Sequence, residues 1–152
     1  MNKLLNIRTL IGVACIVSAL ILAYQSKIKN IDNDLSVLNI EKPTQAVLEI
    51  VSPIAKLVTD PTDRAKLAIF NQEFSKRIPS YDADVQQVND VYVSAASDFF
   101  QNTINDKYTG LDTKLISLIQ FVTTDENHKL TQEEKTKMSE SFLGLSWSLI
   151  QK

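Results

Sequence analysis

Residues 60–79 read DPTDRAKLAIFNQEFSKRIP. The stretch carries a start, a face and a stop for one helix. Asp60 offers a side-chain oxygen to the first free backbone N–H groups. Pro61 suits the first turn, where a missing N–H costs nothing. Asp63 meets the positive end of the helix dipole, and Lys76 and Arg77 meet the negative end. Leu67, Phe70 and Phe74 recur at helical spacing as an inner face, and Pro79 ends the run.

The neighbouring segments repeat the pattern. Upstream, EKPTQAVLEIVSPIAKLVTD (residues 41–60) predicts a helix starting at Pro43 or Thr44. Val47, Leu48, Ile50, Val51, Ile54, Leu57 and Val58 make it apolar nearly all round. That predicts a place at the bundle centre or against a bilayer, with Pro53 kinking or splitting it. Downstream, SYDADVQQVNDVYVSAASDFFQNTI (residues 80–104) puts Val85, Val88, Tyr92, Ala95 and Phe99 on one face, with Asp82 or Ser80 as the expected cap. Gly110 marks a break, and LDTKLISLIQFVTT (residues 111–124) reads as a shorter apolar helix. The last helix, from Thr131, opens with Thr131 and Glu134, a capping box in which each side chain satisfies a backbone N–H of the other. Met138, Phe142, Leu145 and Leu149 form its face. No segment alternates with the period of a strand. The chain has 3 glycines and 4 prolines, few for a turn-rich β fold. The expected class is all-α: an N-terminal transmembrane helix followed by a bundle of about five helices.

The membrane expectation comes from TLIGVACIVSALILAY, Thr9 to Tyr24, which holds no charge in a chain that is 22% charged. Those residues span roughly 24 Å as a helix at ~1.5 Å each, short of a ~30 Å hydrocarbon core. Leu4, Leu5 and Ile7 extend the segment, Arg8 can snorkel, and Tyr24 suits an interface. A cleaved leader fits less well. A cut after Val17-Ser18-Ala19 leaves an apolar stub, and Ala23-Tyr24-Gln25 ends in the wrong residue. The segment around Gly12-Val13-Ala14-Cys15 resembles a bacterial lipoprotein signal, but Gly12 stands where a larger aliphatic is usual and the apolar run continues past Cys15. The reading is therefore an anchor over residues 1–25, with Leu10, Ile11, Val13, Ile16, Val17, Leu20, Ile21 and Leu22 facing lipid. A stalk covers residues 26–42 and the helical bundle 43–152. Lys3 and Arg8 before the run are nearly balanced by Lys27 and Lys29 after it. The short basic leader favours a cytoplasmic N-terminus and a body on the exoplasmic or periplasmic side.

Two stretches suggest self-association. Ile21, Tyr24, Ile28, Ile31, Leu35 and Leu38 keep a coiled-coil beat for about two heptads, with packing on the chain's own domain as the competing account. Ala14, Cys15, Ser18, Ala19 and Ala23 are small residues whose spacing lets two membrane helices approach.

Chemistry is sparse. His128 is the one histidine and Cys15 the one cysteine, so no internal disulfide and no His/Cys-rich metal site can form. The isolated glycines make no phosphate loop. Beyond the basic leader the chain carries 14 bases against 18 acids, no footprint for nucleic acid. TTDENHKLTQEE (residues 123–134) resembles an EF-hand calcium loop. That resemblance places Asp125, Asn127 and Glu134 at ligand positions and Leu130 at the buried aliphatic one. Thr123 replaces the first aspartate, and His128 stands where glycine is needed. No cofactor, catalytic residue or small-molecule substrate is expected. The aromatic-aliphatic residues Phe121, Leu143 and Trp147 lie off the predicted core faces and suggest a contact edge. The expected function is a membrane-anchored helical protein-interaction module, an accessory or assembly subunit of a membrane-associated or viral complex. Its partners would be the lipid bilayer and other proteins, with itself among the candidates. The alternatives are a phage-type lysis accessory, holin- or spanin-like, and a weak calcium-binding helix-loop-helix protein.

Overall fold

The computed structural model describes residues 16–26, 38–99, 107–120 and 128–151. These residues form six α-helices: α1 over residues 16–26, α2 (Gln45–Leu57), α3 (Pro61–Arg77), α4 (Val85–Phe99), α5 (Leu111–Gln120) and α6 (Gln132–Ile150). A 3-10 turn, Ile78–Ser80, follows α3. Among the described residues there is no strand, only an isolated bridge between Asp84 and Lys129. The all-α class is as expected.

The centre of the bundle is α3, not α2. Residues 67–75 of α3 are buried on every side, including Asn71, Gln72, Glu73 and Ser75. The apolar α2 buries only Val51, Ile54 and Ala55 and lies at the edge. It runs unbroken through Pro53, an exposed residue whose missing N–H faces outward. Composition misled here because the polar side chains of α3 are satisfied locally or by neighbouring helices. Asn71 donates to the Leu67 carbonyl at 2.9 Å and accepts from the Tyr92 hydroxyl at 2.8 Å. Ser75 donates to the Gln72 carbonyl. A buried polar group so paired escapes most of its desolvation cost. The pairing is incomplete: among the described residues, Gln72 Oε1 and Asn89 Oδ1 are buried without a hydrogen-bond partner.

Helix α6 lies antiparallel along α3, and small polar residues fasten the two. Ser139 donates to the Ser75 carbonyl and Ser146 to the Ala68 carbonyl, seven residues apart on each helix. Arg64 closes the same seam at its far end. Its guanidinium donates to the Ala55 and Val58 carbonyls, each at 2.7 Å, and to those of Ser148 and Leu149, each at 3.0 Å. These acceptors sit at the C-termini of α2 and α6, where the dipole is negative and carbonyls run short of partners; Ala55 and Ser148 also accept from the cap N–H groups of Val58 and Gln151. The planar fork of arginine suits the task as an ammonium would not.

An aromatic chain fills the middle. Tyr92 packs against Phe70, Phe74 and Phe142 with ring centroids 5.4, 4.8 and 5.2 Å away. Phe74 meets Phe142 edge-on at 4.9 Å. Such tilted and edge-on pairs add to the burial of the rings themselves. Burial raises the Tyr92 hydroxyl well above the usual tyrosine range. Burial also pushes Tyr81 up to about 12, with Arg77 opposing.

The caps are informative. Thr44 caps α2, and Asp60 caps α3 by accepting from Thr62 and Asp63. Thr131 and Glu134 form the expected box on α6. Helix α4 departs from expectation: its cap is Asp84, not Asp82 or Ser80. Asp84 accepts from the Gln87 N–H at 2.8 Å, while Gln87 accepts from the Asp84 N–H at 3.0 Å. The glutamine three residues on selects the cap. Gly110 precedes α5 at φ 81°, a left-handed conformation that favours glycine. The adjoining Tyr108 hydroxyl accepts from the Asp60 N–H and donates to the buried Asp63 carboxylate. Lys107, 3.3 Å from the same carboxylate, has its amine raised chiefly by that hydrogen bond.

Of the N-terminal segment, the structure describes residues 16–26. Among the described residues, no helix is long and apolar enough to cross a membrane. Leu20, expected to face lipid, is fully buried in the bundle core. Ile16, Val17, Ile21 and Tyr24 pack against that core, and Tyr24 meets Phe70 edge-on at 5.6 Å. Leu22 points outward, 65% exposed. In water these side chains gain by covering the apolar flank of the bundle. Leu10, Ile11, Val13, Ala14 and Cys15 lie outside the described residues.

Candidate interaction surface

The stalk residues expected to pair two chains divide in the same way. Leu38 lies on non-helical backbone and is buried in the chain's own core. Ile21 and Tyr24 also pack internally. Ser18 and Ala19 are exposed on the outer face of α1, and Ala23 is half-buried. Ile28, Ile31 and Leu35 lie outside the described residues. So do Asp125 and Asn127, two of the three calcium-ligand candidates. The third, Glu134, is already engaged. Its carboxylate accepts from the Thr131 N–H at 2.9 Å and meets His128 Nε2 at 2.9 Å. Those bonds, the backbone one first, hold its carboxyl down at about 2. Among the described residues, no three His, Cys, Asp or Glu side chains are grouped to hold a metal ion.

The contact-edge residues do come together with new neighbours. Leu143 and Trp147 stand one turn apart on α6 and are half-buried. The segment leading into α2 crosses over them. Lys42 places its amine 6.0 Å from the Trp147 ring centroid, at the limit of a cation–π contact. Beside this pair opens a groove of about 220 Å³, whose walls include Pro43, Val47, Leu143 and Gly144. Exposed Glu41 and Glu140 add carboxylates to its lining. Phe121 lies outside the described residues.

The groove exists because Gly144 lets α2 approach α6. A methyl group on Gly144 would fall 2.5 Å from Val47 Cγ1 and 3.2 Å from Pro43 Cβ. Periodicity finds Leu143 and Trp147 because they stand off the stripe of Met138, Phe142, Leu145 and Leu149. It cannot find Lys42, Pro43 or Val47, which meet α6 across about one hundred residues of chain. The surface combines a rigid aromatic, an aliphatic wall and flanking charge, the composition that contact surfaces favour. No family model matches this chain, no characterised protein matches it in sequence, and no solved structure matches it in fold.

Proposed function

We propose that the chain is a membrane-held helical module that contacts another protein through the α2–α6 surface around Trp147. The observation that carries this reading is the half-buried Trp147, 6.0 Å beneath the Lys42 amine and next to a groove that joins the aliphatic wall of Pro43, Val47 and Leu143 to the carboxylates of Glu41 and Glu140. Tryptophan in such a setting offers a large contact area at little entropic cost, since its ring is already positioned. The uncharged run Thr9–Tyr24 supports attachment to a bilayer, with the body on the exoplasmic or periplasmic side. The role is that of a non-catalytic accessory or assembly subunit of a membrane-associated or viral complex.

Site-specific photo-crosslinking in the native host tests the contact. A crosslinker replacing Leu143 is expected to give one discrete protein adduct that Trp147→Ala weakens at least fivefold. The same crosslinker replacing exposed Gln86, on α4, is expected to give none. Equal labelling at both positions, or no adduct at Leu143, refutes the reading.

A further inference from the structure

We propose that α1 is a detachable helix with two apolar homes: the flank of the bundle marked by Phe70, and the hydrocarbon of a lipid bilayer. The proposal rests on the membrane reading above. It adds that the segment leaves the body when it enters lipid.

Helix α1 has two unlike faces. Its inner face buries Leu20 and packs Ile16, Val17, Ile21 and Tyr24 on the core. Its outer face carries Ser18, Ala19, Leu22 and Gln25, with Leu22 65% exposed. None of these residues is charged, and the uncharged stretch reaches back to Thr9. A helix satisfies its backbone within itself, so it can change solvent without exposing polar groups. Lipid tails are as apolar as the interior that Leu20 leaves. The inner face therefore loses little on transfer. The outer face gains, because Leu22 is wet in one home and dry in the other. A bilayer can shift the balance only by the difference between the two states: the wet Leu22 side chain favours lipid, while Gln25 and the flank around Phe70 favour docking.

Departure has a consequence for the body. Tyr24 is the outermost ring of the chain Tyr24–Phe70–Tyr92, and the rings behind it are almost wholly buried. When α1 leaves, Phe70 becomes a surface residue. Lipid insertion and exposure of this flank are then one event.

Two substitutions separate the homes with opposite signs. Leu22→Ser alters a side chain that the docked state leaves in water, so it weakens only the lipid home. Burying the exposed part of one leucine corresponds to about tenfold in partition. Tyr24→Leu removes the edge-on contact to Phe70 and leaves the body's core residues unchanged; it also exchanges an interfacial ring for an aliphatic chain, so the label distance without vesicles, not flotation alone, reports the loss of the docked home. Flotation of the full chain with phosphatidylcholine vesicles is the first readout. Leu22→Ser is expected to raise the lipid concentration for half-binding about tenfold, and Tyr24→Leu to lower it severalfold. The second readout is the distance between spin labels at Leu22→Cys and Val93→Cys in a Cys15→Ser background. Vesicles are expected to replace a narrow distribution by a longer, broader one.

Failure to float overturns the proposal. So does flotation with an unchanged label distance, which means that α1 touches lipid while still docked. A label distance that Tyr24→Leu leaves unchanged without vesicles also overturns it. If detachment fails while the Leu143 crosslink forms, the α2–α6 contact stands and only the two-home helix is lost.

Discussion

Replacing Arg64 by alanine removes a side chain that ties the ends of α2 and α6 to the start of α3. Four carbonyl oxygens lose a charged donor, two at 2.7 Å and two at 3.0 Å. A hydrogen bond to a charged group contributes about 1.5–3 kcal/mol net, and bonds sharing one donor group do not add. Arg64 is half-buried, so water can reach some of the vacated acceptors. The expected loss is therefore about 3 kcal/mol, close to two such bonds rather than four. For a chain of this length ~1 kcal/mol moves the melting temperature by roughly 2–4 °C, so the shift is about 6–12 °C downward. Arg64→Lys keeps the charge near both helix C-termini and loses the fork, and should recover about half of the loss. Chemical denaturation followed by far-ultraviolet circular dichroism measures both variants. An alanine variant within ~0.5 kcal/mol of the parent, the range of ordinary surface changes, refutes the clamp. A lysine variant equal to the parent would reduce Arg64 to a point charge.

Other expectations follow from single contacts. Gly144→Ala should destabilise by about 1–2 kcal/mol in denaturant titration, because overpacking against Val47 and Pro43 outweighs the better helix propensity of alanine. Tyr92→Phe leaves Asn71 Oδ1 buried without its donor and should cost about 1–2 kcal/mol in the same assay. Glu134 has its carboxyl depressed from 4.5 to about 2, so its contribution to stability is present above pH 4.5 and is lost as pH falls through about 2. The melting-temperature gap between the parent and Glu134→Gln should therefore shrink steadily over that window; a constant gap contradicts the assignment.

Local spacing disclosed most of the caps, though not the Asp84–Gln87 pair that starts α4. The caps at Asp60 and Thr131, the box with Glu134 and the inner face of α6 are all set within one or two turns of the residue concerned. The α3 hub was not legible, because Asn71, Gln72 and Ser75 look like a solvated face until Tyr92, Ser139 and other partners are brought to that helix by the fold. The same distance in sequence hid Arg64, whose charge says nothing of carbonyls 84 and 85 residues away. At the candidate surface, Leu143 and Trp147 were visible as residues off the core stripe, whereas Lys42 and Pro43 needed the crossing of α2 and α6. The uncharged run fits two homes for a simpler reason: apolar composition does not distinguish burial in hydrocarbon from burial against Phe70.

The membrane claim meets its most direct test in cells expressing the full chain, by alkaline carbonate extraction combined with protease treatment of intact cells or spheroplasts. The protein is expected to stay in the membrane pellet, and the added protease to remove the helical body from outside. Release into the carbonate supernatant, or a body fully shielded from protease until the cells are lysed, would contradict it.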